Sequence, residues 1–365
     1  MLKKIIYDSN IFYLQKYGGI SKYFINLVKN LDKKIFLPKI IAPIYINDYL
    51  ENIEKKYKKN FLKINSHPRF TRAFSNLIND QYLNIYRNFN KPDIIHSTYF
   101  KPILKKKAKL VITVYDLIHE IFRNKYNFNN IYNLKKKSIY NADKIICISE
   151  NTKKDLIKYY NVDNKKISVI LLGKPNSNEY KIVDDKFYDK PYMLFVGDRK
   201  NYKNFISFIT AFSLSERLKK NFNIVCFGGT NFSTEEYTLF KNKKINIDNI
   251  KYISGSDLQL NYLYKKASLY VCPSLYEGFG LTILEAMNMN CPIIASETSS
   301  IKEIGEEKIA YFNPRSIDDI CFQIENFVFN EEKKNNMLKS YKNHLEKFSW
   351  KKNALETEKL YSEII

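Results

Sequence analysis

The sequence predicts an α/β protein of two doubly wound, Rossmann-like domains facing a cleft, and three observations carry the prediction. Apolar, partly β-branched runs alternate with helix-like stretches along the whole chain, twice over. Both halves open in the same way, with a short apolar run followed by glycine and a helix: Lys4-Ile5-Ile6-Tyr7-Asp8 leads to Gly18-Gly19-Ile20-Ser21, and Tyr192-Met193-Leu194-Phe195-Val196 leads to Gly197. The chain of 365 residues is also too long for one ordinary core and suits two domains of roughly 150 to 200 residues. The expected division is 1–172, a linker at 173–190 marked by Pro175 and mixed polar and charged residues, 191–345, and a terminal helix within 346–365.

Composition narrows the chemistry. Cys147, Cys226, Cys272, Cys291 and Cys321 are odd in number, show no C-x-x-C spacing and mostly fall in apolar runs, so they read as buried free thiols of a reducing compartment rather than a disulfide or metal framework. Met1 to Tyr7 reads as a first strand and not a signal peptide, because Asp8, Asn10, Gln15 and Lys16 interrupt any apolar core. No run approaches the length of a membrane span, so a cytoplasmic location is expected. Sixty Lys and Arg against 38 Asp and Glu give a net charge of +22, which attracts polyanions. Lysine clusters at Lys55-Lys56-Tyr57-Lys58-Lys59, between Lys101 and Lys109, and at Lys135-Lys136-Lys137 all lie in the first half, and an anionic membrane face is the natural target.

Taken in order, Tyr23, Phe24, Leu27, Val28 and Leu31 line one face of a first helix, and Gly19 can aim a backbone N–H at an anion. The loop lacks G-x-G-x-x-G, so neither nicotinamide nor flavin is indicated. Residues 39–44 read as a second strand and 51–90 as a polar, basic, aromatic stretch of helix. Strands are expected at Asp93 to His96, Leu110 to Asp116, Ala142 to Ser149 and Ile167 to Leu172, with Ser149 or Asn151 capping a helix to Tyr160. Ligands of open α/β sheets gather at the carboxyl ends of strands, which places His96, Ser97, Asp116 and His119 to see a substrate. In the second half, strands are expected at Tyr192 to Val196, Ile224 to Gly229, Ile250 to Ser254, Leu269 to Cys272 and Cys291 to Ser296.

The chain is organised around Pro273-Ser274-Leu275-Tyr276-Glu277-Gly278-Phe279-Gly280-Leu281-Thr282-Ile283-Leu284-Glu285-Ala286-Met287. Gly278 and Gly280 allow a sharp turn, and the helix formers that follow put free N–H groups of a helix N-terminus beside it. Two carboxylates there, Glu277 and Glu285, can accept hydrogen bonds from several hydroxyls. The string closely resembles the donor-site signature of family 4 of the retaining glycosyltransferases. Gly197-Asp198-Arg199-Lys200-Asn201-Tyr202-Lys203-Asn204 matches that family's diphosphate clamp, with Lys200 left out of it, and Tyr115-Asp116-Leu117-Ile118-His119-Glu120 is similar to its acceptor-side segment, although histidine is commoner than Tyr115 at the first position.

The resemblance implies the GT-B fold, with the last helix crossing back onto the first domain, and transfer of a sugar from a nucleotide diphosphate sugar to an acceptor hydroxyl with retention of configuration. It assigns catalysis to Arg199, Lys203 and Glu277, and donor binding to Gly19, Gly197, Arg199, Lys203, Ile253, Gly278, Phe279, Gly280, Leu281 and Glu285. Asp116, His119 and His96 fall on the acceptor side. Asn290 replaces a glycine of many relatives and is expected to tolerate positive φ. There is no Asp-x-Asp, so no metal and no cofactor is expected; Arg199, Lys203 and the helix N-terminus would neutralise the leaving group. Gly-Gly-Ile-Ser together with Tyr-Lys-Asn-Phe leans toward transferases of O-antigen or capsule that use GDP-mannose or a related GDP sugar, acting on a glycan or lipid-linked acceptor at the cytoplasmic face of the inner membrane. The competing class is a basic nucleic-acid or membrane-surface binding protein without transferase activity, which would need aromatic platforms beside the lysine runs. A phosphorylase or epimerase on the same fold fits less well, and nucleic acid is not an expected partner.

Overall fold

The computed structural model describes residues 2–65, 72–101, 103, 107–125, 129–175, 179–182, 190–199 and 201–365. It forms two compact units: Met1–Gly173 together with Ser349–Ile365, and Lys174–Phe348. Most of the expected linker, and the lysines at 105, 106 and 200, fall outside the described residues.

In chain order the strands are β1 Lys3–Tyr7, β2 Phe36–Ile41, β3 Ile44–Tyr45, β4 Lys58–Lys59, β5 Leu62–Lys63, β6 Ile94–Ser97, β7 Lys109–Val114, β8 Lys144–Cys147 and β9 Ile167–Val169 in the first unit, then β10 Tyr192–Val196, β11 Asn223–Phe227, β12 Ile250–Ile253, β13 Leu269–Cys272, β14 Ile293–Ser296 and β15 Ala310–Phe312 in the second. The first unit holds a seven-stranded parallel sheet in the order β4-β2-β1-β6-β7-β8-β9, with β3 and β5 paired separately. The second holds a six-stranded parallel sheet in the order β12-β11-β10-β13-β14-β15. Each sheet grows outward in one direction from its first strand and then reverses. The reversal falls between β1 and β6 in one sheet and between β10 and β13 in the other, and such switch points leave a crevice at the strands' carboxyl ends.

Short continuous apolar runs become strands here because helices cover both faces of a parallel sheet and leave no face for water. β10 and β13 are buried along nearly their whole length. The apolar helix Phe205–Leu214 lays Phe205, Phe208 and Phe212 on one side of the sheet beside Ile320, Ile324 and Phe327 of the helix Ile317–Val328. Serine oxygens start several helices: Ser149 accepts from the Thr152 N–H at 3.0 Å, and Ser233 with Glu236 forms a reciprocal cap. The turn at Asn290 adopts φ 53°, as its residue type allows.

Three expectations need correction. β2 begins at Phe36 and runs through Pro38; β4 reaches only Ile40 and Ile41, so on that side the ring's missing donor breaks no pairing. Residues 51–90 are not one helical stretch. Lys58–Lys59 and Leu62–Lys63 pair in parallel with β2 and β3, and the helix is Arg72–Asn90. Lys135 is no part of a basic face: its side chain is fully buried, 2.9 Å from Glu120 Oε2, with its ammonium donating to the Asp116 carbonyl at 2.6 Å. Cys147, Cys226, Cys272 and Cys291 are buried free thiols, whereas Cys321 is partly exposed.

The helix Trp350–Ser362 packs on the first unit. The indole of Trp350 fits because Gly173 has no side chain; a Cβ there would lie 2.5 Å from the Trp350 ring and backbone nitrogen. Farther along, the Tyr361 hydroxyl meets that of Tyr7 at 3.2 Å.

Candidate active site

At the switch point of the second sheet, the loop after β10 and the loop after β13 lie side by side. The Leu275 N–H donates to the Tyr202 carbonyl at 2.7 Å and ties them together. Both turns need glycine: Gly197 has φ 122° and Gly280 φ 107°. A Cβ on Gly197 would stand 3.8 Å from Lys203 Cε, an ordinary contact, so it is the positive φ and not a lack of space that calls for glycine there.

The result is a close ion pair across the two loops, with Lys203 Nζ 2.6 Å from Glu277 Oε1. Burial by itself would lower the Lys203 ammonium; the Glu277 carboxylate beside it outweighs that and holds the lysine above its ordinary value. Glu277 is fixed from several directions. Its Oε1 accepts from Ser274 Oγ at 2.7 Å, its N–H donates to Ser299 Oγ at 2.9 Å, and its carbonyl accepts from Ser300 Oγ at 2.7 Å. These serines were not assigned a role from sequence. Ser299 and Ser300 lie more than twenty residues beyond Glu277, and only the return of the chain through β14 brings them back.

Gly280 precedes the helix Leu281–Asn288, on which Glu285 sits half-buried about one turn in. The ring of Phe279, by contrast, is buried edge-on against Phe348, with centroids 6.1 Å apart. That position can offer a ligand its backbone but not its side chain, because the aromatic surface is consumed in packing.

Arg199 is more enclosed than a charge-rich loop implies. Its Nε donates to Glu236 Oε1 at 2.7 Å, Nη1 to the Gly228 carbonyl at 3.3 Å and Nη2 to the Thr230 carbonyl at 2.5 Å. The guanidinium lies 4.7 Å from the Phe232 ring centre and 5.4 Å from that of Tyr252. It therefore welds the turn after β11, where Gly228 and Gly229 take φ 87° and 73°, to the turn after β10. A Cβ on Gly229 would lie 3.4 Å from Asp198 Cα, so the two turns nearly touch. Ile253 ends β12 next to them, its carbonyl accepting from the Gly228 N–H at 3.1 Å. In the sequence Glu236 stands out only as the last residue of the capping box Ser233-Thr234-Glu235-Glu236, which says nothing of Arg199.

In the first unit, Asp116 and His119 lie together, partly exposed, just beyond β7. Asp116 Oδ1 accepts from the Ile118 N–H at 3.1 Å and shapes the turn, over the buried Lys135 and Glu120. Burial lowers the His119 imidazole, and the Asp116 charge opposes the shift. Gly19 opens the helix Gly19–Asn30. His96 is not an acceptor contact. It is fully buried, its Nδ1 2.6 Å from the Tyr361 hydroxyl and its Nε2 2.8 Å from Thr113 Oγ1, and burial pushes its pKa down to about 3. A strand-end position placed it near the crevice, but the helix Trp350–Ser362 covers it. Asp8, at the end of β1, is likewise enclosed by Ser97, Thr98 and the Asn10 N–H; burial raises its carboxyl, and those hydrogen bonds oppose the rise. Among the described residues no group of three or more His, Cys, Asp or Glu is placed to hold a metal ion.

Two doubly wound parallel units, with glycine turns and an ion pair at the second switch point, define a GT-B glycosyltransferase. Residues 176–344 match the family described as Glycosyl transferases group 1 and residues 17–173 match Glycosyltransferase Family 4. The chain belongs to family 4 of the glycosyltransferases. It is 27% identical over 371 residues to an uncharacterised glycosyltransferase of Methanocaldococcus jannaschii, covering 95% of each chain, and 29% identical over 237 residues to the O-antigen chain mannosyltransferase RfbU of Salmonella typhimurium, covering 64% of each. Its fold is similar to that of sucrose-phosphate synthase from Thermosynechococcus elongatus, with TM-score 0.78 at 16% identity and coverage of 100% and 99%.

Proposed function

We propose that this glycosyltransferase takes a sugar from a nucleotide diphosphate sugar, GDP-mannose or a related GDP sugar, and passes it with retention of configuration to a glycan or lipid-linked acceptor of a surface polysaccharide. The observation that carries the reading is the Lys203–Glu277 pair, 2.6 Å apart between two glycine turns at the switch point. A cation there meets the charge that develops on a departing diphosphate, while the carboxylate accepts from sugar hydroxyls. The N–H groups at the start of the helix Leu281–Asn288 add positive potential, and Arg199, held by Glu236 in the turn after β10, would add to it. Glu285 takes the ribose, and the backbone near Ile253 the base. Asp116 and His119 serve the acceptor.

In the step proposed, the bond from the anomeric carbon to the β-phosphate oxygen breaks, and the acceptor oxygen bonds to that carbon on the same face. The departing phosphate oxygen takes the acceptor's proton, so the protein supplies position and charge. No metal is needed in this scheme, because Lys203, Arg199 and backbone N–H groups carry the counter-charge. The mannosyl lean rests on the similarity to the O-antigen mannosyltransferase of Salmonella typhimurium. An anionic membrane face, on the cytoplasmic side, would present the acceptor. Among the described residues no helix is long and apolar enough to cross a membrane.

Thermal shift against UDP, GDP, ADP and dTDP sugars tests the donor. The right one stabilises the protein in proportion to its occupancy, and GDP-mannose should lead. No shift with any nucleotide sugar would sink the reading.

A further inference from the structure

The helix Arg72–Asn90 sits on the first unit inside out. The residues it buries recur every four positions and are mostly polar: Ser75, Asn79, Leu83 and Arg87. Asn79 docks as a strand edge would, its Oδ1 accepting from the Ile44 N–H at 2.9 Å and its Nδ2 donating to the Ile44 carbonyl at 3.0 Å. The opposite face carries Phe74, Leu77, Ile85 and Phe89, all exposed, Phe89 to 83% and Phe74 to 64%, with the uncharged polar side chains of Gln81, Asn84 and Asn88 between them. These four span about 22 Å along the helix, at 1.5 Å per residue. A helix of a globular protein normally turns its apolar stripe to the core, and an exposed stripe of this size marks an interaction surface.

Its surroundings say which kind. Phe61, 67% exposed, packs edge-on against Tyr82 of the helix with ring centroids 5.0 Å apart, which brings the segment before it alongside. That segment, Glu54 to Lys63, carries five lysines against one glutamate. Lys56 pairs with that glutamate at 2.8 Å, and Lys63 reaches back to Asp48 and Glu51, but Lys55 and Lys59 face no carboxylate among the described residues. On the helix the sole acidic residue is Asp80, and the ammonium of Lys101 neutralises it at 2.6 Å. Apolar and aromatic side chains flanked by an excess of lysine suit a surface whose interior is hydrocarbon and whose face is anionic. A two-fold pair of copies suits it less, because a self-complementary contact would bring both lysine runs together.

We propose that this face, Phe61 and Leu62 with Phe74, Leu77, Ile85 and Phe89, lies in the headgroup boundary of an anionic lipid bilayer. The proposal rests on the membrane reading above and specifies the surface that meets the lipid. The wild-type chain, Leu77→Gln/Ile85→Asn/Phe89→Ser, and Lys55→Gln/Lys59→Gln are sedimented with phosphatidylglycerol/phosphatidylcholine vesicles and with phosphatidylcholine alone. Wild type should partition to the anionic vesicles, less so as salt rises, and the triple variant at least tenfold less, with its melting temperature unchanged because all three positions are exposed. The lysine variant should lose part of the binding and most of its salt dependence. In Phe89→Trp, emission should shift to the blue on vesicles and be quenched by brominated acyl chains, a readout independent of the triple variant's folding. Wild-type failure to bind anionic vesicles at low salt would overturn both the membrane reading and this surface. Normal binding by the triple variant, or unshifted emission from the Phe89→Trp protein, would overturn the surface alone, as would a concentration-dependent dimer that the triple variant abolishes.

Discussion

Lys203 Nζ and Glu277 Oε1 stand 2.6 Å apart although 74 residues separate them in the chain. The pair is where the two glycine turns of the second sheet become one site, since each side chain alone would sit on an ordinary strand-to-helix loop. Because they act as a unit, Lys203→Met and Glu277→Gln should each lower kcat, and the double variant should lose less than the product of the two. Independent effects would mean that the pair does not persist in the working enzyme.

The two glutamates separate by what each touches. Glu285→Ala should weaken free nucleotide diphosphate and nucleotide sugar alike and raise KM. Glu277→Ala should spare the free nucleotide and lower kcat by an amount on the order of 10², as other lost positioning or charge contacts do. Calorimetry with GDP and with the intact donor makes the comparison. Equal loss of GDP affinity in both variants would reverse the assignment of sugar and ribose ends.

Arg199 is buried, with Glu236 and two carbonyls around its guanidinium. Arg199→Met should therefore cost about 3 kcal/mol of stability, in the range for breaking a buried ion pair. Arg199→Lys should recover only part, since an ammonium cannot fork to Glu236 and the Gly228 and Thr230 carbonyls at once. Urea midpoints of the three proteins check this. An unchanged midpoint for Arg199→Met would remove the strut, and unchanged donor affinity in the same variant would remove its share of the counter-charge.

His96 gives a pH signature. Its pKa is held down to about 3 by burial, against 6.5 in the unfolded chain. Between those values the unfolded chain takes up the proton and the native protein does not. The contribution to stability is therefore whole above pH 6.5 and is lost as pH falls toward 3, by about 1.4 kcal/mol per pH unit within that window. His96→Gln should show a shallower loss of stability between about pH 7.5 and 5 in urea titrations followed by Trp350, which packs in the same unit. Parallel curves for the two proteins would assign the acid sensitivity elsewhere.

Transfer should survive excess EDTA, because the proposed counter-charge is Lys203, Arg199 and backbone N–H groups. Activity lost on chelation and restored by magnesium or manganese would contradict that.

Local pattern determined what neighbours in sequence can express. Buried strands announced themselves at Tyr192–Val196 and Leu269–Cys272 as short apolar runs, and the turns at Gly197 and Gly280 required glycine where φ is positive. That Lys203, Glu277 and Glu285 lie beside those turns is likewise legible, because they stand within a few residues of them, whereas the meeting of Lys203 with Glu277 is not. Tertiary structure alone decided the rest. Nothing near Glu277 in the chain announces Ser299 and Ser300, and nothing near Arg199 announces Glu236; each meeting depends on parallel crossovers that return the chain to a neighbouring strand end. His96 and Lys135 carry chemistry that reads as a site or a basic face, yet the helix Trp350–Ser362 and the Glu120 carboxylate enclose them. Burial depends on what the far end of the chain covers, a property with no local signal. The helix Arg72–Asn90 shows the same limit in reverse: its apolar stripe is visible as a period, but only the Asn79–Ile44 hydrogen bonds decide that the stripe faces outward.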